Sequence, residues 1–281
     1  MNNLQTQDAL PEMIKEQPRS TCNDNALAAH MSFVSSRQPE ESGSLFERLL
    51  HKSTIYGVTD ELAQRVLKNV SLDELSAEIK ALISDDEACA HVAARSYLHG
   101  NGFYKLVMHT CGHAKVRLHF WAANQSAEEN IHNHRWRLCS RVVFGELKSE
   151  IYQQCVTPND TALTLEARRY AKSVYRLDAE GVRLGRQRVE LVCLETRTAG
   201  EAYAMDVDTL HKIVRQADSA ATLTLMVQSA PIYSDNYMLS NDNVEEPNLN
   251  PKPLSPTELK ELLAQICEHL NRSCEATREA C

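Results

Sequence analysis

Polar and apolar positions follow three regimes along this chain. Up to about Ser42 they show no sustained period, and Asn, Gln, Ser and Pro are frequent, so residues 1–42 are expected to form a flexible polar arm. From Ser44 the apolar residues fall at helical spacing, with Leu45, Phe46, Leu49 and Leu50 on one face. Thr59 is a candidate cap for a helix through Leu67. Ser71-Leu72-Asp73-Glu74 forms a capping-box pattern ahead of Leu75 to Ile83, and Asp85-Asp86-Glu87 opens a helix expected to reach about Leu98. Residues 43–98 therefore predict a helical region packed on the rest of the chain.

The period changes from 3.6 to 2 after the turn cluster His99-Gly100-Asn101-Gly102. Phe103 to His109 reads as a strand, and Lys115-Val116-Arg117-Leu118-His119-Phe120-Trp121 alternates as a half-buried strand should. Ile131 to Cys139, Leu147 to Tyr152, Arg188 to Thr196, Glu201 to Val207, His211 to Arg215 and Ala221 to Val227 add further strands. A polar segment spans about Thr157 to Gly185. Short strands joined by turns, without long intervening helices, predict an antiparallel sandwich or barrel over 99–235. From Ser234 the chain reads as loop, and 236–281 is expected to hold that loop and one helix. Ser255-Pro256-Thr257-Glu258 combines a capping box with proline at the first helical position, and Leu259, Leu262, Leu263, Ile266 and Leu270 form a stripe. That stripe packs on the chain's own surface or joins two copies into a homodimer.

Composition narrows the function classes. The 281 residues are 43% hydrophobic and 24% charged, enough for one substantial core with appendages or two small domains. A formal net charge of −8 argues against nucleic-acid partners, which need basic patches. No apolar run approaches the roughly 20 residues of a membrane helix. The first residues lack the basic and apolar regions of a signal peptide, so a cytoplasmic protein without membrane partners is expected. The nine cysteines are odd in number and include no Cys-x-x-Cys pair, which points to reduced thiols rather than a disulfide framework or zinc ribbon. No phosphate loop, nucleophile elbow or helical His-Glu-x-x-His motif occurs.

The chemistry concentrates in Ile131-His132-Asn133-His134-Arg135-Trp136-Arg137-Leu138-Cys139. Residues i and i+2 of a strand share a face, so His132 and His134 can present two imidazoles to one point. A metal ion needs that arrangement; the alternative is two ordinary polar side chains. Arg135, Arg137 and Arg141 are candidate cations for an anionic substrate; the same alternation turns Arg135 and Arg137 to the face opposite His134, where a solvated face is the alternative. Trp136 shares the histidines' parity and either walls a pocket or packs in the core. His119 is a weaker candidate for a ligand or acid–base role. Glu128, Glu129, Asp206 and Asp208 are candidate acceptors for the second nitrogens of the imidazoles.

These residues resemble the two motifs of the cupin family. His132 and His134 match the first motif, with Cys139 at its acidic position and Gly145 closing it one residue early; Ser126 stands where the motif opens with glycine. Gly200 and His211 stand at the separation of the second motif. Asp206, Asp208 and Arg215 replace its Pro, Gly and Asn. The long polar stretch between the motifs fits an inserted hairpin or loop. Cysteine five residues after the second histidine is similar to the arrangement in cysteine dioxygenase-type thiol oxygenases. On that resemblance Lys105 stands near the position of a substrate-gripping arginine, Ser229-Ala230-Pro231 looks like a Ser-Pro-Pro segment, and Gln228 replaces a tyrosine. The resemblance covers about Phe103 to Pro231. It implies a mainly β, jelly-roll cupin barrel with His132, His134 and His211 on Fe(II), and Lys105, Cys139 and Gln228 lining the site. The implied function is oxygenation, by dioxygen, of a small polar molecule such as a thiol bearing an amine or carboxylate. A cupin lyase, isomerase or hydroxylase, or a non-catalytic ligand-binding cupin, are the alternatives.

Overall fold

Alternation along the β-rich half builds two antiparallel sheets in the computed structural model, which describes residues 43–125, 127–155, 162–171, 182–240 and 251–279. The expected polar arm at 1–42 lies outside those residues. Among the described residues, four α-helices precede the sheets. Ser44 caps α1 (Leu45–Tyr56) reciprocally: its hydroxyl accepts from the Glu47 N–H at 3.2 Å, and the Glu47 carboxylate accepts from the Ser44 N–H at 3.0 Å. α2 (Asp60–Arg65) follows Thr59, whose hydroxyl donates back to the Tyr56 carbonyl at 3.0 Å instead of capping. Ser71 and Asp85 cap α3 (Leu72–Ser84) and α4 (Asp86–Ala93). α4 ends at Ala93, short of the expected Leu98. The cause is tertiary: buried Ser96 bridges the Val92 carbonyl and the Val107 N–H, and β1 (Tyr97–Leu98) pairs with the next strand.

The first sheet contains β1, β2 (Tyr104–Cys111), β3 (Ala114–Trp121), β12 (Thr222–Gln228), β6 (Leu138–Phe144) and β10 (Ala202–Met205), in that order. The second contains β4 (Ala127–Glu128), β11 (Leu210–Arg215), β5 (Ile131–His132), β13 (Asp235–Ser240), β8 (Leu163–Ala171), β9 (Val182–Thr198) and β7 (Glu146–Gln154). β7 also pairs with β11, so the pairings run from β11 through β5, β13, β8, β9 and β7 back to β11. Each of those six strands contributes to one small core, built from Ile131, Tyr152, Leu165, Ala167, Val189, Leu210 and Leu239. Gly145 makes the β6–β7 turn at φ 80°, where an added Cβ would sit 2.3 Å from the Ala221 carbonyl oxygen.

Two elements differ from expectation. The supposed polar segment contains β8 and the first residues of β9, which form the inserted hairpin. The supposed loop after Ser234 is β13, which pairs with β8 and β5.

The helices cover one face of the first sheet. Leu106, Leu118, Phe120, Leu223 and Leu225 share a core with Leu45, Leu62, Leu75 and Ile79, all at most 3% exposed. α5 (Pro256–Glu279) starts at the expected capping box, Ser255 accepting from the Glu258 N–H at 3.2 Å. Its stripe is buried in that core, with Leu259, Leu263, Ile266 and Leu270 fully covered. Burying each such leucine contributes about 1.5–3 kcal/mol. The stripe is thus covered within one chain. Among the described residues no helix is long and apolar enough to cross a membrane.

Candidate metal centre

The expected single strand from Ile131 to Cys139 is broken. β5 stops at His132, and the chain resumes as β6 only at Leu138. Asn133, almost fully buried, holds the break: its N–H donates to the Tyr237 carbonyl at 3.2 Å and its Oδ1 accepts from the Tyr237 N–H at 2.6 Å. Further on, the Arg135 carbonyl accepts from the N–H groups of Ile232 and Tyr233, and Ser229 bonds the backbone of Arg137 in both directions. Ser229-Ala230-Pro231 therefore ties down the segment that carries His134.

The break still brings the histidines together. His132 pairs directly with His211 across β5 and β11, which sets neighbouring side chains about 5 Å apart. The ring centroids lie 4.5 Å apart for His132 and His211, 5.0 Å for His134 and His211, and 5.1 Å for His132 and His134. One nitrogen from each falls within 4.8 Å of the others. Burial pushes all three pKa values down, that of His211 to about 3, so the rings are neutral at physiological pH. His132 Nδ1 lies 2.9 Å from the Asn130 carbonyl and His211 Nδ1 lies 3.3 Å from the Thr209 carbonyl. Those contacts set the tautomer with Nδ1 protonated and leave Nε2 a lone pair. The acceptors are backbone carbonyls rather than the expected carboxylates. Asp206 pairs with Arg137, Asp208 bonds the Tyr233 hydroxyl, and Glu129 accepts from the Ile213 N–H. The Glu128 side chain lies outside the described residues.

The histidines line a cavity of about 80 Å³ between the two sheets. That is well below the roughly 300–1,000 Å³ of drug-sized pockets, so the space suits a small ligand. Lys105 lines it from β2, half-buried and with its ammonium 5.6 Å from the Tyr97 ring centroid. Burial, and then the nearby cations Arg117, Lys115 and Arg135, hold its pKa well below the usual lysine range. Trp136 also lines the cavity, stacked on His134 at 5.7 Å, with the guanidinium carbons of Arg117 and Arg135 each 5.3 Å from its ring.

Several expectations are corrected. Cys139 does not line the cavity. Its neighbours Leu138 and Ser140 do, and strand alternation turns its own side chain to the helical face, where Sγ donates to the Thr59 carbonyl at 3.0 Å. Burial pushes this thiol up to about 12. Gln228 is on the cavity side of β12, in parity with Thr224 and Met226, but lies beyond the lining residues. Arg135 is buried rather than solvated, because the chain is not extended there; Arg137 is exposed as expected. Arg141 faces the helices and donates to the carbonyls of Leu67 and Val70. Arg215 is structural, bonding Thr222 Oγ1 and the Ala122 and Ala220 carbonyls. Arg117 and His119 lie on the polar side of the alternating strand, and His119 is the weaker ligand or acid–base candidate of the sequence. Both are buried and line the cavity, as does Glu129.

The architecture and cluster define a mainly β protein of two antiparallel sheets holding a three-histidine, metal-competent centre. No protein-family model and no curated protein matches the chain. Solved structures match only distantly. A hydroquinone 1,2-dioxygenase from Sphingomonas sp. TTNP3 aligns at 5% identity and TM-score 0.28, over 45% of this chain and 65% of that one. The Drosophila melanogaster CENP-C cupin domain aligns at 14% identity and TM-score 0.27, over 46% and 71%. A DMSP lyase structure aligns at 11% identity and TM-score 0.27, over 50% and 53%. The chain spans less than two thirds of the dioxygenase's length.

Proposed function

We propose that this chain is a cupin-class metalloenzyme in which His132, His134 and His211 hold Fe(II) for oxygenation of a small polar substrate. The observation that carries the reading is the convergence of three neutral imidazoles on a small cavity that also presents Lys105. The donor set fits a first-row metal ion: three nitrogens with lone pairs, two of them oriented by backbone carbonyls, and no carboxylate in the set among the described residues. When bound, a ferrous ion supplies the electrons and the meeting point for dioxygen chemistry.

The chain's own residues do the rest. Lys105 attracts an anionic group and fixes the substrate's direction, while the Trp136 ring and Met226 keep that part of the cavity dry. Holding reactants in one orientation makes their encounter effectively intramolecular. The resemblance to thiol oxygenases points to a thiol bearing an amine or carboxylate. A second reading, a cupin lyase, isomerase or hydroxylase, is favoured by the position of Cys139, which belongs to the helical core and contributes nothing to the cavity. Metal analysis of anaerobically purified protein, with oxygen uptake measured on cysteine, cysteamine and 3-mercaptopropionate, separates the two. Iron with uptake supports the oxygenase; bound metal without uptake on any thiol supports the second reading.

A further inference from the structure

The cavity holds an amine and a carboxyl that do not bond one another. Glu129 is 5% exposed; its Oε2 accepts from the Ile213 N–H at 3.0 Å and the Asn101 side chain is a further hydrogen-bonding neighbour, while Oε1 has no partner in full hydrogen-bond geometry. Lys105 lines the same cavity, and among the described residues no carboxylate pairs with it. Glu129 stands outside the three-histidine set. Ile213 follows His211 by two residues on β11, so the carboxyl sits about 7 Å along the strand from the third histidine. Lys105 comes from the facing sheet, in register with His119. A buried carboxylate oxygen without a donor is costly, by roughly 1–3 kcal/mol or more for a charged group. A ligand that brings a donor to Glu129 and an acceptor to Lys105 removes both deficits together.

We propose that the cavity binds its substrate as a zwitterion, with Lys105 taking the anionic group and Glu129 the protonated amine. This rests on the metalloenzyme reading above and narrows it to amino-acid-like molecules small enough for about 80 Å³. Arg117 reinforces the anionic end from the same wall. Glu129 is then a specificity residue for that site, with no part in holding the metal.

Binding of cysteine, 3-mercaptopropionate and cysteamine to the anaerobic, metal-loaded protein tests this by calorimetry, with alanine and propionate as a thiol-free pair. Cysteine should bind at least tenfold tighter than either single-charge analogue, and alanine tighter than propionate. Glu129→Gln, which keeps an acceptor for the Ile213 N–H, should lower cysteine to the level of 3-mercaptopropionate and leave the latter nearly unchanged. Lys105→Met should lower it to the level of cysteamine. Equal binding of cysteine and 3-mercaptopropionate to the wild type overturns the assignment, as does an unchanged ratio in folded Glu129→Gln, or no binding of either amino acid. The wild-type comparison stands even where a variant fails to fold. Oxygen uptake is scored separately. A tenfold preference for the zwitterions without turnover removes the oxygenase reading and keeps this one, whereas uptake of 3-mercaptopropionate with no amine preference does the reverse.

Discussion

The two faces of the six-stranded sheet are made by the same strands and are opposite in character. On β3, Val116, Leu118 and Phe120 point to the helices, while Arg117, His119 and Trp121 point between the sheets. β6 and β12 repeat the division: Cys139, Val143, Leu225 and Val227 belong to the helical core, and Leu138, Ser140, Thr224 and Met226 line the cavity. Both faces are buried, yet only one is apolar throughout its core. The helical face stabilises by removing apolar area from water, which is roughly additive and tolerant of detail. The cavity face buries cations, imidazoles and a carboxylate, each of which costs free energy unless something partners it. A sheet spends stability in this way where it has a ligand to hold.

The largest expected effect breaks the cavity face alone. His211→Ala should abolish metal content and oxygen uptake while the thermal midpoint of the metal-free protein changes little. Inductively coupled plasma analysis beside calorimetry reads both, and full metal occupancy in that variant would remove the third-ligand assignment. The converse break is Leu118→Ala, at a position with no exposure. It should cost about 2–5 kcal/mol in urea unfolding. Metal per folded molecule should be unchanged, and metal loss without destabilisation would show that the faces are not separable.

This division also explains what the sequence made legible. The helical face announced itself, because α1, α3 and the final helix present long apolar stripes behind strong caps, and β3 alternates cleanly. The three histidines were legible because spacing and motif separation carry them whether or not the intervening chain is extended. Lys105, singled out by position, lines the same cavity. Alternation alone does not say whether a polar face meets water or a second sheet, so it leaves Arg117 without a role, His119 as a weaker candidate and Glu129 as one of several acceptors for an imidazole. β13 hid behind turn-forming Asp235 and Asn236, and β8 behind a charged run with one brief apolar stretch, since both strands owe their burial to partners distant in sequence. Cys139 was misplaced for a related reason: its motif position was read without its parity.

A subtler effect sharpens the contrast through pH. Burial raises the Glu129 carboxyl to about 7 from an ordinary 4.5. Between those values the folded chain binds more protons here than the unfolded chain does. This contribution to stability is therefore complete below about 4.5 and is lost as pH rises through about 7, by at most on the order of 3 kcal/mol. The three histidines act in the opposite sense. Their folded pKa values are depressed, so the stability they contribute is present above about 6.5 and is lost as pH falls toward the folded values. Comparing Glu129→Gln with wild type in chelator-treated protein cancels the histidine part. The variant's thermal midpoint should gain on wild type as pH rises from about 5 to 8, and a difference that stays flat would place Glu129 in contact with water.

The smallest effect decides on which face Cys139 belongs. Its thiol is fully buried and donates to the Thr59 carbonyl, which already accepts from the Ala63 N–H at 3.1 Å. Cys139→Ala therefore leaves no buried acceptor stranded. It removes one sulfur from a well-packed core and should cost about 1 kcal/mol, from the small cavity it leaves. Because the side chain points away from His132, His134 and His211, metal content, ligand affinity and any turnover should stay within twofold of wild type. A thiol that lined the site would give the reverse pattern: little change in the unfolding midpoint and a large loss of affinity or turnover. Measuring both on one preparation distinguishes the two arrangements, because parity on β6 allows Cys139 to serve the helical core or the cavity, and not both.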